Sequence, residues 1–141
     1  MEPDFTAEEY RDLAEFRYRL RRFLRFSETA ARAHGLEVTQ HQLLLAVKAL
    51  ERPTVGELAE RVQLRHHSVV GLLDRLAARG LLRRARGEPD RRKVMIELTE
   101  AGEEVLRRLA PLHREELRKA AAELVRALKA VLGRRAELPG L

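Results

Sequence analysis

Residues 54–99 read TVGELAERVQLRHHSVVGLLDRLAARGLLRRARGEPDRRKVMIELT, and a change of period inside this stretch decides the fold. Thr54 and Glu57 have the spacing of a capping box, in which hydroxyl and carboxylate satisfy each other's backbone donors, so a short helix is expected from here to about Arg61. Val62 to Leu64 form the turn. In the next helix, roughly Arg65 to Arg79, a rotation of about 100° per residue puts Val69, Leu72, Leu73 and Leu76 on one face. His67, Gly71, Asp74 and Ala78 fall opposite, flanked by Ser68, Val70 and Arg75. After Gly80, a helix-ending glycine, the period becomes two: Val94, Ile96 and Leu98 alternate with Lys93, Met95 and Glu97. Leu81 to Arg86 can pair with them across a turn holding Gly87, Glu88, Pro89 and Asp90. Two capped helices followed by an arginine-rich hairpin make a winged helix-turn-helix, with the second helix as the reading element.

On the N-terminal side, Leu13, Phe16, Leu20, Phe23 and Leu24 recur at spacings of three and four. They predict one long helix from about Thr6 to His34, stopped by Gly35. Thr39 with Gln42 predicts a capping box opening a second helix that runs to about Leu50, and Pro53 breaks the chain. On the C-terminal side, Thr99 is an N-cap, with Glu100 and Glu103 in the first turn complementing the helix dipole. Pro111 is expected to kink or divide this helix, the second piece running from about Leu112 to Leu132 before Gly133 and a frayed tail. The fold class is therefore mainly α with a small two-stranded β wing.

Charge follows the same map. Between Arg61 and Lys93, ten Arg or Lys face three acids, a net +7, while the remaining 18 basic and 19 acidic residues give −1, for +6 overall. The excess positive charge sits where phosphates would be neutralised and counterions released. Arg83, Arg84 and Arg86 line the hairpin, and Arg91 and Arg92 stand at its tip, suited to a narrow, electronegative minor groove. A solvated basic face is the blander account of the same charge. With 141 residues, 45% hydrophobic, the chain fits one compact domain or one protomer of an intertwined dimer. No apolar run of membrane-spanning length and no secretory leader is seen, which predicts a soluble cytoplasmic protein without a membrane partner. Cysteine is absent, excluding disulfides, thiolate metal sites and thiol-based sensing. No phosphate loop, dinucleotide fingerprint, nucleophile elbow or HExxH pair occurs, so no catalytic residue is assigned and an enzyme is not expected.

These residues resemble the MarR (multiple antibiotic resistance regulator) family of winged helix-turn-helix transcriptional regulators. The matching words are Gly35 to Gln40, Thr54 to Arg61, Ser68 to Leu76, Arg79 to Arg84, and Asp90-Arg91-Arg92 leading to Leu98 to Gly102. The resemblance implies a homodimer with interlocking N- and C-terminal helices (1–36 and 100–141) around a DNA-binding region (37–99), bound to a pseudo-palindromic operator. Leu13, Phe16, Leu20, Leu117, Leu124 and Leu128 are the expected dimerisation residues. The expected DNA contacts are Thr54, Arg65, His66, His67, Ser68, Val70, Gly71, Arg75, Arg84, Arg86, Asp90, Arg91 and Arg92. By the family's wing pattern, Arg92 resembles the minor-groove arginine, with Arg91 next in line, and Asp90 the acid that positions it. Asp90 is equally a turn-former beside proline. Two positions depart from the family: Arg65 stands where a polar cap is common, and Gly71 where the reading face often carries arginine. Base preference is therefore not carried over.

The resemblance also implies a ligand-responsive repressor with a small aromatic or anionic effector and no fixed cofactor, although 4% aromatic content gives no readable stacking pocket. The alternative is a non-specific architectural DNA-binding protein without an effector; a third reading is a protein-interaction module with an acidic partner. His34, His41, His66, His67 and His113 lack metal-ligand spacing, so no metal is assigned, His34 and His41 being the pair nearest to one.

Overall fold

The computed structural model describes residues 4–133. In chain order the elements are α1 (Ala7–Ala33), α2 (Val38–Leu50), α3 (Val55–Val62), α4 (His66–Ala78), β1 (Leu82–Arg86), β2 (Val94–Leu98) and α5 (Glu100–Leu132). The fold is the mainly α winged helix-turn-helix with a two-stranded wing. Described residues up to Thr29 and from Leu112 form one compact unit, and Ala30–Pro111 form another. The second unit thus reaches past the 37–99 segment at both ends.

Within Ala30–Pro111 the core is built from leucines of successive elements. Leu36, Leu43, Leu44, Leu58, Leu73, Leu76 and Leu109 are fully buried with Val69 and Ile96. Burying side chains of this size is worth about 1.5–3 kcal/mol each. The buried face of α4 is the Val69, Leu72, Leu73, Leu76 stripe given by helical spacing. β1 and β2 pair antiparallel in the register Leu82 with Leu98, Arg84 with Ile96 and Arg86 with Val94. Of the alternating apolar residues of β2, Ile96 is buried while Val94 is exposed, because the outer end of the hairpin runs past the core. A third chain segment joins this sheet: the Ile96 amide donates to the Pro53 carbonyl at 2.8 Å, and Thr54 bridges to Met95.

The ends of the helices follow their local chemistry. Thr54 accepts from the Glu57 amide at 3.2 Å and caps α3. After α4, Gly80 takes a φ of 74°, and the Gly80 and Leu81 amides close on the Ala77 and Leu76 carbonyls at 2.9 and 3.0 Å. Thr99 accepts from the Gly102 amide at 3.2 Å and donates to the Gly80 carbonyl at 2.6 Å, fastening the start of α5 to the end of α4.

Two expectations are corrected. The cap of α2 is Glu37 rather than Thr39: the Gln40 side chain accepts from the Glu37 amide at 3.0 Å, starting the helix at Val38. Pro111 does not divide the last helix, which runs unbroken from Glu100 to Leu132. Proline removes one N–H donor, and a helix of 33 residues continues through the loss. The expected tail after Gly133 lies outside the described residues.

The other unit pairs α1 up to Thr29 with α5 from Leu112. Thr6 caps α1 by accepting from the Glu9 amide at 3.1 Å. Arg19 bridges Glu15 at 2.8 Å on its own helix and Glu123 at 2.6 Å on α5. Ser27 Oγ lies 2.6 Å from His113 Nε2, and the rings of Phe23 and Phe26 stand edge-on to the imidazole. Among its described residues only Ala127 is buried. Leu13, Leu20 and Leu117 are exposed, while Phe16, Leu124 and Leu128 are half-buried. Among the described residues, no helix is long and apolar enough to cross a membrane.

Candidate nucleic-acid interface

The leucine stripe of α4 fixes which residues face away from the core. Arg65, His66, His67 and Arg75 are exposed, and Ser68, Val70 and Gly71 are half-buried. No acid occupies the first turn of α4, and its N-cap, Arg65, makes no side-chain cap. The amides of that turn keep their positive dipole end with cationic and imidazole side chains beside it, an arrangement that favours a phosphate. Arg75 makes no ion pair with any carboxylate among the described residues. Its guanidinium lies back along the helix, so that a Cβ at Gly71 would stand 3.6 Å from Nη2. The surface left by the missing side chain at Gly71 is thus flanked by the cation one turn on.

The wing divides its arginines into two groups. Arg83 pairs with Glu97 at 2.9 Å and Arg84 with Asp74 at 2.6 Å, which ties the base of the hairpin to α4. Arg86 donates to the Arg91 carbonyl at 3.4 Å. At the tip, Asp90 Oδ1 accepts from the Arg92 amide at 3.0 Å and from Arg92 Nε at 3.3 Å. Turn-forming and arginine-holding are therefore performed by one carboxylate oxygen. Arg91 is exposed and the Arg92 side chain is 94% exposed, with no apolar surface to hold it back. The tip is closed by the Gly87 amide donating to the Lys93 carbonyl at 2.8 Å. A Cβ at Gly87 would meet the Asp90 carbonyl oxygen at 2.9 Å, so this turn admits only glycine there.

Of the thirteen expected contact residues, α4 and its cap carry Arg65 to Ser68, Val70, Gly71 and Arg75, and the wing carries Arg84, Arg86 and Asp90 to Arg92. Thr54 is engaged as the cap of α3. Two groups were missed from sequence. Arg52, just before α3, pairs with Glu97 at 2.7 Å, and its partner lies 45 positions away, where no local pattern announces it. Phe23, Phe26, Arg19, Arg22 and Lys119 line a cavity of about 310 Å³ between α1 and α5, although composition offered no aromatic pocket. His34 Nδ1 lies 3.0 Å from the Ala30 carbonyl and His41 is buried. No group of three or more His, Asp or Glu suited to a metal ion occurs among the described residues.

Residues 34–93 match the sequence profile of the MarR family. Those residues are similar to the winged helix of that family. The chain is 41% identical over 69 residues to the HTH-type transcriptional regulator TtmR of Methylorubrum extorquens, covering 49% of this chain and 35% of TtmR. The chain spans about a third to a half of the length of the curated relatives it matches. Over most of the chain the likeness is one of fold. The MarR-family regulator AbsC of Streptomyces coelicolor superposes with a TM-score of 0.73 at 23% identity, over 93% of this chain and 96% of AbsC. A single-substitution variant of Staphylococcus aureus MepR, bound to an oligodeoxyribonucleotide, superposes with a TM-score of 0.66 at 21% identity, over 86% of each chain. Arg65, the N-cap of α4, is exposed and Gly71 is half-buried, so both departures from the family pattern fall away from the leucine stripe of α4.

Proposed function

We propose that this chain is a cytoplasmic DNA-binding transcriptional regulator, a homodimer that represses from a pseudo-palindromic operator and releases it in response to a small ligand. The observation that carries this reading is a set of exposed cations: Arg65, Arg75 and Arg91 have no carboxylate partner among the described residues, and Arg92, which meets only Asp90 of the tip, keeps its side chain 94% exposed. Arg65 and Arg75 would meet phosphate or base edges in the major groove, and Arg92 the adjoining minor groove. The oligodeoxyribonucleotide bound to the MepR variant supports the same use of the same fold. Dimerisation is supported by the leucines that the helical unit leaves open, since contiguous apolar surface marks an interaction site. The cavity between α1 and α5 has the size of a small-ligand site and offers two phenylalanines among Arg22, Lys119, Glu116 and Glu123, which suits an aromatic effector with a polar group.

Selection of bound fragments from genomic DNA, followed by footprinting, tests this reading. A regulator enriches a few sequences and protects two half-sites about 34 Å apart, one duplex turn. An architectural protein binds every fragment with a steep salt dependence, and a module for an acidic protein partner retains none at moderate salt. Either outcome would overturn the operator reading.

A further inference from the structure

The joint between α2 and α3 has a backbone that sequence alone does not call for. Glu51 and Arg52 are consecutive non-glycine residues with φ of 51° and 55°, a conformation L residues rarely adopt. Strain of this kind persists where surrounding contacts over-determine it. Here the contacts of Arg52 lie at the base of the wing. Arg52 Nε lies 2.7 Å from Glu97 on β2, and Arg52 Nη2 donates to the Arg86 carbonyl on β1 at 3.4 Å. One guanidinium therefore holds both strands. The contacts continue outward, for Arg86 donates to the Arg91 carbonyl at the tip.

We propose that Arg52 is a positioning residue for DNA recognition, setting the wing tip so that Arg91 and Arg92 enter the groove, without touching DNA itself. This deepens the regulator reading and rests on it. Three observations carry the assignment. The Glu97 side chain is only 20% exposed and accepts from Arg52 and Arg83 together, so Arg52 is occupied at the wing base rather than available to phosphate. An ion pair as open as this one, with Arg52 49% exposed, adds little to stability, which leaves geometry as its contribution. The recorded contacts of Arg52 go to the wing strands and none to α4, so its influence should fall on wing contacts alone.

That asymmetry defines the test. A duplex selected by the wild-type chain from a random library is titrated with Arg52→Ala in three backgrounds: wild type, Arg92→Ala and His67→Ala. Arg52→Ala is expected to weaken binding about threefold or more, to lose that effect when Arg92 is already absent, and to keep it when His67 is absent. Arg52→Lys, which keeps the charge but not the two-pronged donor, is expected to recover part of the loss. In the DNA-free protein, Arg52→Ala and Glu97→Gln should both speed hydrogen exchange at the Lys93 amide, which donates to Asp90 at the tip, and leave the amides of α4 unchanged. Equal losses in both backgrounds, with unaltered exchange at Lys93, would overturn the proposal. A wild-type chain that selects no duplex fails the regulator reading, and the exchange comparison then still decides whether Arg52 holds the wing.

Discussion

The Ala30–Pro111 unit and the helical unit made by the start of α1 and the end of α5 use similar residues to opposite effect. In the first, leucines from α2, α3, α4 and α5 are buried to completion, although Leu45 of α2 is 50% exposed. In the second, Leu13, Leu20, Leu24, Leu112 and Leu117 are 37–50% exposed, and Ala127 alone is buried among the described residues. A winged helix has helices and strands at several angles and can enclose its own apolar side chains. A pair of long helices can cover only one stripe of each, and whatever lies outside that stripe waits for another surface. The contrast teaches that leucines of the same kind do different things in the two regions: they close a core in one and mostly stay open at the surface in the other.

The sharpest way to break this comparison is to remove one leucine from each region. Leu73→Ala, at a fully buried position of α4, is expected to cost about 2–5 kcal/mol in denaturant unfolding through lost burial and the cavity left behind. Leu20→Asp, at an exposed position of α1, is expected instead to convert dimers to monomers in sedimentation while the winged helix keeps its fold by circular dichroism. A dimer that survives Leu20→Asp would remove that stripe from the interface and with it the distinction drawn between the two units.

The next prediction sharpens the comparison within the winged helix, between an arginine engaged at the wing base and one at the tip that meets Asp90 yet keeps its side chain 94% exposed. Arg92→Ala is expected to reduce the slope of log affinity against log salt by about 1, the signature of one lost phosphate-proximal cation. Arg83→Ala, which removes a residue already engaged with Glu97, is expected to change the slope less. Equal slopes for the two variants would show that pairing at the wing base does not withhold a cation from DNA.

Most of this fold was legible in local sequence, and the exceptions have physical reasons. The Thr54 and Glu57 cap, the leucine stripe of α4 and the glycine stop after it are all short-range patterns, and each stands where spacing placed it. The start of α2 was displaced because two overlapping pairs, Glu37 with Gln40 and Thr39 with Gln42, share the spacing of a capping box, and only the three-dimensional course of the chain after Gly35 selects between them. Pro111 was over-read because a proline signal says which hydrogen bond is lost and nothing about how well 33 helical residues absorb it. The outward residues of α4 and the wing tip could be named from periodicity and charge. The division of the arginines into engaged and open ones could not, since Arg52 with Glu97 and Arg84 with Asp74 are long-range pairs that a local pattern does not encode.

Glu97 provides the smallest and most specific check on that division. Hydrogen bonding to Arg83, with the charge of Arg52 adding to it, holds its carboxyl below the ordinary value of 4.5. A depressed folded-state value means that the carboxylate contributes stability above the unfolded-state value and loses it as pH falls through the folded one. The difference in unfolding stability between the wild type and Glu97→Gln should therefore be steady at neutral pH and shrink only below about 4.5. The group lies near the surface, where solvent screens the pair, so the difference is expected to be small and to fall with added salt. A difference that stayed constant down through the acid range would mean that the two arginines do not favour the ionised form of Glu97, and the wing base would then be held by its backbone bonds to Pro53 and Thr54 and by the pair of Arg84 with Asp74.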